Sequence, residues 1–522
     1  MPDDLLALYA QTTPDATAVI VDEALGGTPS ATSFARLNEQ VNRLAHAFRE
    51  LGVVQGERIV WCGANSLEVL VTIHAARKAG QVAVPLSYRF NADEMAYVID
   101  NSDATLVVVD AEQAATVAEI RGRIPKVREV LVFGGDVPPG ARAWDDVLAA
   151  QPHTEPVAPD KSDVGAQMLY TSGTTGKPKG ALRTATDSAL VGALLGELGL
   201  RFGEEVHITT GPLYHSGPLA FASIAHSMGG AIIVLRRFDP TAWLRLVKEH
   251  RATNTFSAPT QVKRIVSLPP GELARADLTS MRCLIANAAP VPYALKQEVF
   301  EKLGDWFLYE VYGSTELGIV TVMKPGDQLA HPGSCGKPYG GIEIKIVADD
   351  GTDAPTGEPG ELFIRTTLAM DGYHRTTEQL TELPGDGIEG SDWKSVGDVA
   401  TVDEDGFVSI CDRKKDMIIS GGVNIYPAEI EAVIYAHPQI LDAAVFGIPD
   451  DEWGESVYCV VQAKEGEDLD LEEVDRFVTE RVAGYKRPRG YETRAELPRT
   501  DAGKLLKRIL RDEFWKDRTS AV

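Results

Sequence analysis

Short apolar runs alternate with helical patterns through the first third of the chain, and this alternation sharply limits the architectures open to it. Phe34, Leu37, Val41, Leu44, Phe48 and Leu51 recur at helical spacing, with Ser33 placed to cap the start and Gly52 beyond the end. Arg58–Cys62 follows as a short apolar strand, 67–78 as a second helix closed by Gly80, and 82–85 and 106–109 as further strands. Short apolar strands separated by helices are buried on both faces, which is the pattern of parallel strands in a doubly wound α/β sheet. Apolar runs at Ala231–Leu235, Cys283–Ala286, 342–347 and 361–364 are read as extending the same architecture.

At 522 residues the chain exceeds what one hydrophobic core organises, so at least two domains are expected. The polar, proline-bearing stretch 151–163 reads as a connection between subdomains, ahead of another apolar strand at 167–170. A later boundary falls at the charged cluster Asp412, Arg413, Lys414, Lys415, Asp416, which is followed by an apolar triplet and then Gly421 and Gly422. Beyond it, a helix from Pro427, strands around 443–446 and 456–462 and a helix over 471–482 suffice for a small α+β unit. The expectation is a large N-terminal domain of doubly wound sheets, 1–412, and a small mobile α+β domain, 413–522.

Charge and cysteine usage exclude some function classes. Fifty-one lysines and arginines against 76 aspartates and glutamates give a formal net charge of −25, which repels nucleic acid and anionic lipid, so any polyanion must be met by a local exception. The sequence has no stretch of eighteen apolar residues and no basic-then-apolar leader, and Cys62, Cys283, Cys335, Cys411 and Cys459 show no CxxC pair or metal-ligand spacing. These features lead us to expect a soluble, cytoplasmic protein with no membrane span; a homodimer is compatible with them.

The strongest chemical signal follows the strand at 167–170. Thr171, Ser172, Gly173, Thr174, Thr175, Gly176, Lys177, Pro178, Lys179 and Gly180 combine three glycines, four hydroxyls and two lysines. The glycines let the backbone curl and present N–H groups to phosphate, while the lysines supply positive charge. The spacing differs from a Walker loop, so P-loop chemistry does not transfer.

Four more segments occur in order after this loop: Tyr312-Gly313-Ser314-Thr315-Glu316, Ser395-Val396-Gly397-Asp398, the cluster at 412–416, and 498–504 ending in Lys504. Together the five resemble the signatures of the adenylate-forming superfamily of acyl-CoA synthetases, luciferases and peptide-synthetase adenylation domains, over nearly the whole chain. The resemblance implies an acid–thiol ligase that uses ATP, Mg²⁺ and coenzyme A on a small-molecule carboxylic acid. It implies that the Thr171–Lys179 loop holds phosphates and that Asn287, Ala288, Ala289, Pro290, Tyr312, Gly313 and Ser314 lie along the adenine. Thr315 would touch the α-phosphate, Glu316 would hold Mg²⁺, and Asp398 with Arg413 would hold the ribose. Lys504 would bridge carboxylate and α-phosphate, offsetting charge that develops as phosphorus becomes five-coordinate. Lys415 would be the hinge about which the small domain turns, bringing Gly421 and Gly422 to the active centre for thiol transfer.

The same resemblance implies an acid tunnel lined by Tyr214-His215-Ser216-Gly217, Phe256 to Thr260, Asn287 to Ala289 and residues just after Glu316. These are mostly small or apolar, with no acidic residue for an ammonium and no arginine for a second carboxylate, so the acid is read as apolar and monocarboxylic: fatty, aryl or alicyclic. His215 resembles a gating or thiol-guiding residue, and a packed, hydrogen-bonded histidine is equally open. Asn287 stands where a glycine is common in the superfamily, and asparagine tolerates positive φ. Two other readings stand beside the ligase: a stand-alone module loading a carrier protein, and an inactive nucleotide-binding regulator of the same fold. The regulator would be expected to lose Glu316 or Lys504 first, and both are present.

Overall fold

The computed structural model describes residues 4–22, 30–159, 167–171, 177–184, 187–383, 392–500 and 503–516. The first expected helix runs Phe34–Glu50: the Ser33 side chain accepts a hydrogen bond from the Arg36 amide, and Gly52 follows at φ 76°. Helix Leu67–Ala79 ends on Gly80 in the left-handed region. Leu37, Val41, Leu44 and Phe48 of the first helix and Leu70, Ile73 and Ala76 of the second share one core. Trp61, Val108 and Leu131 of one sheet and Val19, Ile232 and Val234 of another belong to the same core, so the helix pair is held between two sheets.

Because successive strand residues face opposite ways, each strand also feeds an outer core. Val60 and Val107 turn away from Trp61 toward Met95, Ile99 and Val117 of helices Ala92–Asn101 and Ala111–Glu119. Ile233 turns away from Ile232 toward Trp243, Ile265 and Val299 of helices Pro240–His250, Pro259–Val266 and Tyr293–Lys302. The result is five layers, helix and sheet alternating.

The first sheet has the order Arg142–Ala143, Glu129–Phe133, Ala104–Asp110, Arg58–Cys62, Val82–Leu86, Gln167–Thr171, Lys179–Arg183, Gly372–Tyr373. Its first six strands are parallel and the last two antiparallel. The second runs Ser30–Ser33, Thr17–Asp22, Ala231–Leu235, Val206–Thr209, Asn254–Ser257, Cys283–Ala286, Leu308–Ser314, Gly318–Met323, Lys337–Pro338, with a parallel centre and antiparallel ends.

Two expectations are corrected here. The stretch 151–163 does not separate subdomains, because the strand after it pairs Gln167 with Ala83 and re-enters the first sheet. What is described of the stretch straps the helix pair: Glu155 takes hydrogen bonds from Asn38 at 2.6 Å and Lys78 at 2.8 Å, and the His153 carbonyl accepts from Asn42. The runs at 342–347 and 361–364 do not extend the doubly wound sheets. They are strands Glu343–Val347 and Gly360–Arg365 of a separate antiparallel sheet with Thr381–Glu382, Lys394–Ser395, Asp398–Val402 and Val408–Arg413. Among the described residues, turns rather than helices join them, and antiparallel pairing needs no crossover.

Arg413 closes that sheet opposite Asp398, and a turn closed by the Asp416 amide on the Arg413 carbonyl leads out of it. A five-stranded sheet follows, built from Ile418–Ser420, Val423–Ile425, Ile440–Asp450, Gly454–Ala463 and Gly490–Thr493, with helices Pro427–Tyr435, Leu471–Thr479 and Lys507–Trp515. All five cysteines are free thiols. No helix among the described residues is long and apolar enough to cross a membrane.

Candidate active site

In open α/β sheets the strand ends at the carboxyl side gather the residues that bind ligands. Thr171 ends strand Gln167–Thr171, Ala258 follows Asn254–Ser257, Asn287 follows Cys283–Ala286, and Ser314 ends Leu308–Ser314. These ends, Tyr214 to Gly217, Asp398 and the loop carrying Lys504 all line one cleft of about 2830 Å³.

Two carboxylates stand in it. Glu316 Oε1 accepts from the Thr171 hydroxyl at 3.1 Å and from the Tyr373 hydroxyl at 2.9 Å. Burial and the Glu316 charge push the Tyr373 hydroxyl pKa up, which keeps it a donor. Thr315 is fixed on both sides, its carbonyl by Arg183 at 2.8 Å and its hydroxyl 3.1 Å from that of Ser216. Asp398 is 5% exposed; its Oδ2 accepts from the Tyr312 hydroxyl at 2.5 Å and its Oδ1 lies 3.3 Å from Arg413 Nε.

Lys504 comes from the far end of the chain. Its amide donates to Thr500 Oγ1 at 3.1 Å and its carbonyl accepts from the Thr500 amide at 2.7 Å, while Arg499 grips both Asp442 and the Gly503 carbonyl. Gly503 has φ 84°, and a Cβ there would lie 2.8 Å from Thr260 Oγ1 and 3.0 Å from Ala258 Cβ. The Lys504 loop therefore rests directly on the Ala258–Thr260 wall. Burial, with Arg413 and Lys415 nearby, lowers the Lys504 pKa to about 8, opposed by Asp398 and Asp416. A lysine so placed is short of negative charge around it, and an anion in the cleft would supply it.

The cleft wall around Tyr214 to Gly217 is aromatic and close-packed. Gly217 admits the Phe256 ring, since a Cβ there would meet it at 2.3 Å, and Phe256 stacks on Phe221 with ring centroids 5.3 Å apart. Tyr88 meets Tyr214 edge-on, and Tyr214 tilts against His215 at 4.6 Å.

The AMP-binding enzyme family model matches residues 6–374, and the AMP-binding enzyme C-terminal domain model matches 429–504. The chain belongs to the adenylate-forming superfamily, on its acyl-CoA synthetase branch. This synthetase is 36% identical over 510 residues to a feruloyl-CoA synthase of an Amycolatopsis species, covering 97% of each chain. It is 31% identical to the fatty acid–[acyl-carrier-protein] ligase ScoC of Streptomyces coeruleorubidus, covering 99% of this chain and 97% of that one. Among solved structures it resembles the anthranilate CoA ligase AuaEII in complex with anthranoyl-AMP, with TM-score 0.86, 26% identity and 98% and 96% of the two chains covered.

The synthetase thus brings Thr171, His215, Asn287, Ala288, Ala289, Pro290, Tyr312, Gly313, Ser314, Thr315, Glu316, Asp398, Arg413, Lys415 and Lys504 to one cleft. Ser172, Gly173, Thr174, Thr175 and Gly176 lie outside the described residues. Lys177 and Lys179 do not line the cleft: the first sits 5.2 Å over the Tyr97 ring, and the second pairs with Glu378 beside the Tyr373 ring. Gly421 and Gly422 form a turn under Trp453, away from the cleft. The positive φ expected at Asn287 belongs to Ala288, at 76°, while the Asn287 side chain donates to the Val311 carbonyl. The asparagine is thereby tied to the neighbouring strand instead of serving as the turn residue.

Sequence reading missed Arg183 and Tyr373 and placed Ser216 only along the acid tunnel; the three hold Thr315 and Glu316 in place. None carries a local signature, because each reaches the site only through sheet pairing or a helix start. It also missed Lys507, whose buried amine lies 2.9 Å from Glu431 and 3.8 Å from Asp412, joining the last helix to the strand ahead of the 414–416 turn.

Proposed function

We propose that this synthetase activates an apolar monocarboxylic acid (fatty, aryl or alicyclic) as its acyl-adenylate, releases pyrophosphate, and passes the acyl group to coenzyme A. ATP-dependent acyl-CoA ligation is the activity of the branch it belongs to, and ATP and coenzyme A are its co-substrates. The observation that carries the finer reading is the meeting of Lys504 with Thr315, Glu316 and Asp398 in one cleft, beside the small and aromatic residues Tyr214, Gly217, Phe256, Ala258, Ala288 and Ala289.

In the first half-reaction the substrate carboxylate attacks the α-phosphorus. Lys504 spans the two reacting groups as an ammonium, and Thr315 donates its hydroxyl to an α-phosphate oxygen. Asp398 accepts from the ribose hydroxyls, steadied by Arg413 and Tyr312. Glu316 suits Mg²⁺: it is a carboxylate already oriented by Thr171 and Tyr373, and it needs only one or two protein oxygens if phosphates complete the shell. Bound there, the metal would neutralise charge on the phosphates. Asn287, Ala288, Ala289, Pro290, Tyr312, Gly313 and Ser314 form the base-side wall, and Thr171, at the start of the glycine-rich segment, marks the phosphate side. In the second half-reaction the unit 413–522 turns about Lys415 relative to 1–412, Lys504 withdraws, and Gly421 and Gly422 face the adenylate as the thiol attacks its carbonyl and AMP leaves. His215, at the cleft wall before helix Ser216–Ser227, borders the thiol's approach. A cytoplasmic setting belongs to the same reading, supported by five free thiols.

A pyrophosphate-release screen over straight-chain, aromatic and polycyclic acids, with free coenzyme A present, tests this. ATP-dependent thioester from at least one class is expected. Adenylate without thioester would favour carrier-protein loading, the alternative that the similarity to ScoC keeps alive. Asp398→Asn should raise KM for ATP about tenfold while leaving the Tyr312 contact, the size of one charge-assisted hydrogen bond. An unchanged KM would remove Asp398 from ribose binding.

A further inference from the structure

The cleft continues well past the adenylation groups. Helix Ser216–Ser227 lines it along its whole length through Ser216, Gly217, Ala220, Ser223, Ile224 and Ser227. At 1.5 Å per residue, His226 lies about 15 Å along the axis from Ser216, whose hydroxyl is next to that of Thr315. At this far end Ile73 and His74 of helix Leu67–Ala79 form the facing wall.

The hydrogen bonds there fix every proton. His226 Nε2 lies 3.0 Å from the Ala18 carbonyl, which can only accept, so Nε2 carries the hydrogen. Burial lowers the His226 pKa to about 4, which keeps the ring neutral and leaves a lone pair on Nδ1. That lone pair lies 2.8 Å from His74 Nε2, which must therefore carry a hydrogen of its own. Burial, with His226, Arg77 and Lys78 adding to it, also holds His74 neutral. Its Nδ1 is consequently a bare acceptor on a residue that lines the cleft, and no donor among the described residues meets it. An acceptor at the end of a largely apolar channel favours a guest that brings a donor to it.

We propose that this end of the cleft reads a hydroxyl carried by the acid about 15 Å from its carboxyl, with His74 Nδ1 accepting it. The substrate class is then a long-chain or polycyclic acid hydroxylated at its distal end. This rests on the acyl-CoA ligase reading and deepens it. The relay through His226 to Ala18 orients the acceptor, and the small side chains of Ala220 and Ser223 leave room for bulk beside the helix.

The test compares kcat/KM for dodecanoic acid, its ω-hydroxy derivative and dodecanedioic acid, with coenzyme A and ATP saturating. The hydroxy acid is expected to exceed the plain acid by about five- to tenfold, carried in KM, as one hydrogen bond to a neutral acceptor provides. His74→Gln keeps a donor toward His226 but moves its acceptor oxygen away from the Nδ1 position, and should bring the ratio to about one. His74→Asn keeps an acceptor at the Nδ1 position and should retain the preference. A wild-type ratio of one, a ratio that survives His74→Gln, or a fall shared equally by the two acids overturns the proposal. So does a preference for the diacid, which would assign this end to the exposed Arg77 instead. Failure of every acid, short and aromatic controls included, to give ATP-dependent thioester would instead sink the ligase reading.

Discussion

Lys504→Ala is expected to lower adenylate formation by about two to three orders of magnitude while leaving thioester formation from a supplied acyl-adenylate within a few-fold of the wild type. The asymmetry follows from where the amine sits. It is held in the cleft with Thr315, Glu316 and Asp398 by a loop resting on Ala258 and Thr260, and the second half-reaction as proposed requires it to leave. The depressed pKa adds a second, independent signature. A lysine lowered to about 8 is charged below that pH and neutral above it, so kcat/KM for adenylation should fall about tenfold per pH unit above about 8. ATP in the cleft supplies the negative charge that Lys504 lacks in the free enzyme, so the same limb in kcat should move to higher pH. Stopped-flow pyrophosphate release and thioester formation measured separately across pH decide the matter. Equal loss of both half-reactions in Lys504→Ala, or a kcat/KM limb identical to that of kcat, would refute the assigned role.

Much of the candidate site was legible in the sequence because it resides in short contiguous segments. Thr315-Glu316, Asp398 and Lys504 are far apart in the chain, yet each is marked by its immediate neighbours and their order. The strands Ala231–Leu235 and Cys283–Ala286 and the capped helix after Ser33 were equally visible, since apolar periodicity and capping are local properties. What stayed hidden depends on pairing between distant segments. Nothing in Thr17–Asp22 says that its partner is Ala231–Leu235, and nothing in Gly372–Tyr373 says that it will join the edge of the first sheet and bring a hydroxyl to Glu316. The stretch 151–163 misled for the same reason: its composition is that of a linker, but Glu155 is drawn onto the buried amine of Lys78 and ties it to the helix pair. Ala288 shows the limit for backbone geometry. A positive φ at alanine is unfavourable in isolation, so no residue-type rule would select it over Asn287. The His74–His226–Ala18 relay joins three segments that sequence separates by up to 208 residues, and is visible only once they are packed together.

Thr260→Cys combined with Gly503→Cys should, on oxidation, leave adenylate formation intact and reduce thioester formation by at least about two orders of magnitude, with full recovery on reduction. A Cβ at Gly503 lies 4.0 Å from Thr260 Cβ, within the roughly 3.5–4.5 Å that a disulfide spans. The φ of 84° at Gly503 opposes a side chain there by about 1–2 kcal/mol, a cost that the reduced double variant carries equally and so controls for. Of the native thiols four are buried and Cys411 is partly so, which limits mispairing. Proline at Lys415 is the poorer probe of the hinge. Lys415 is the third residue of the turn closed by the Asp416 amide on the Arg413 carbonyl, where proline would push Lys414 out of its helical conformation and disturb the docked state as well. The crosslink instead acts only on undocking. The ion cluster of Lys507, Glu431 and Asp412 spans the same junction from the other side, so the docked arrangement is held at two places and the disulfide reinforces one of them. If the oxidised enzyme still acylates coenzyme A at the rate of the reduced one, no rotation about Lys415 is needed, and both half-reactions must occur with Lys504 in place.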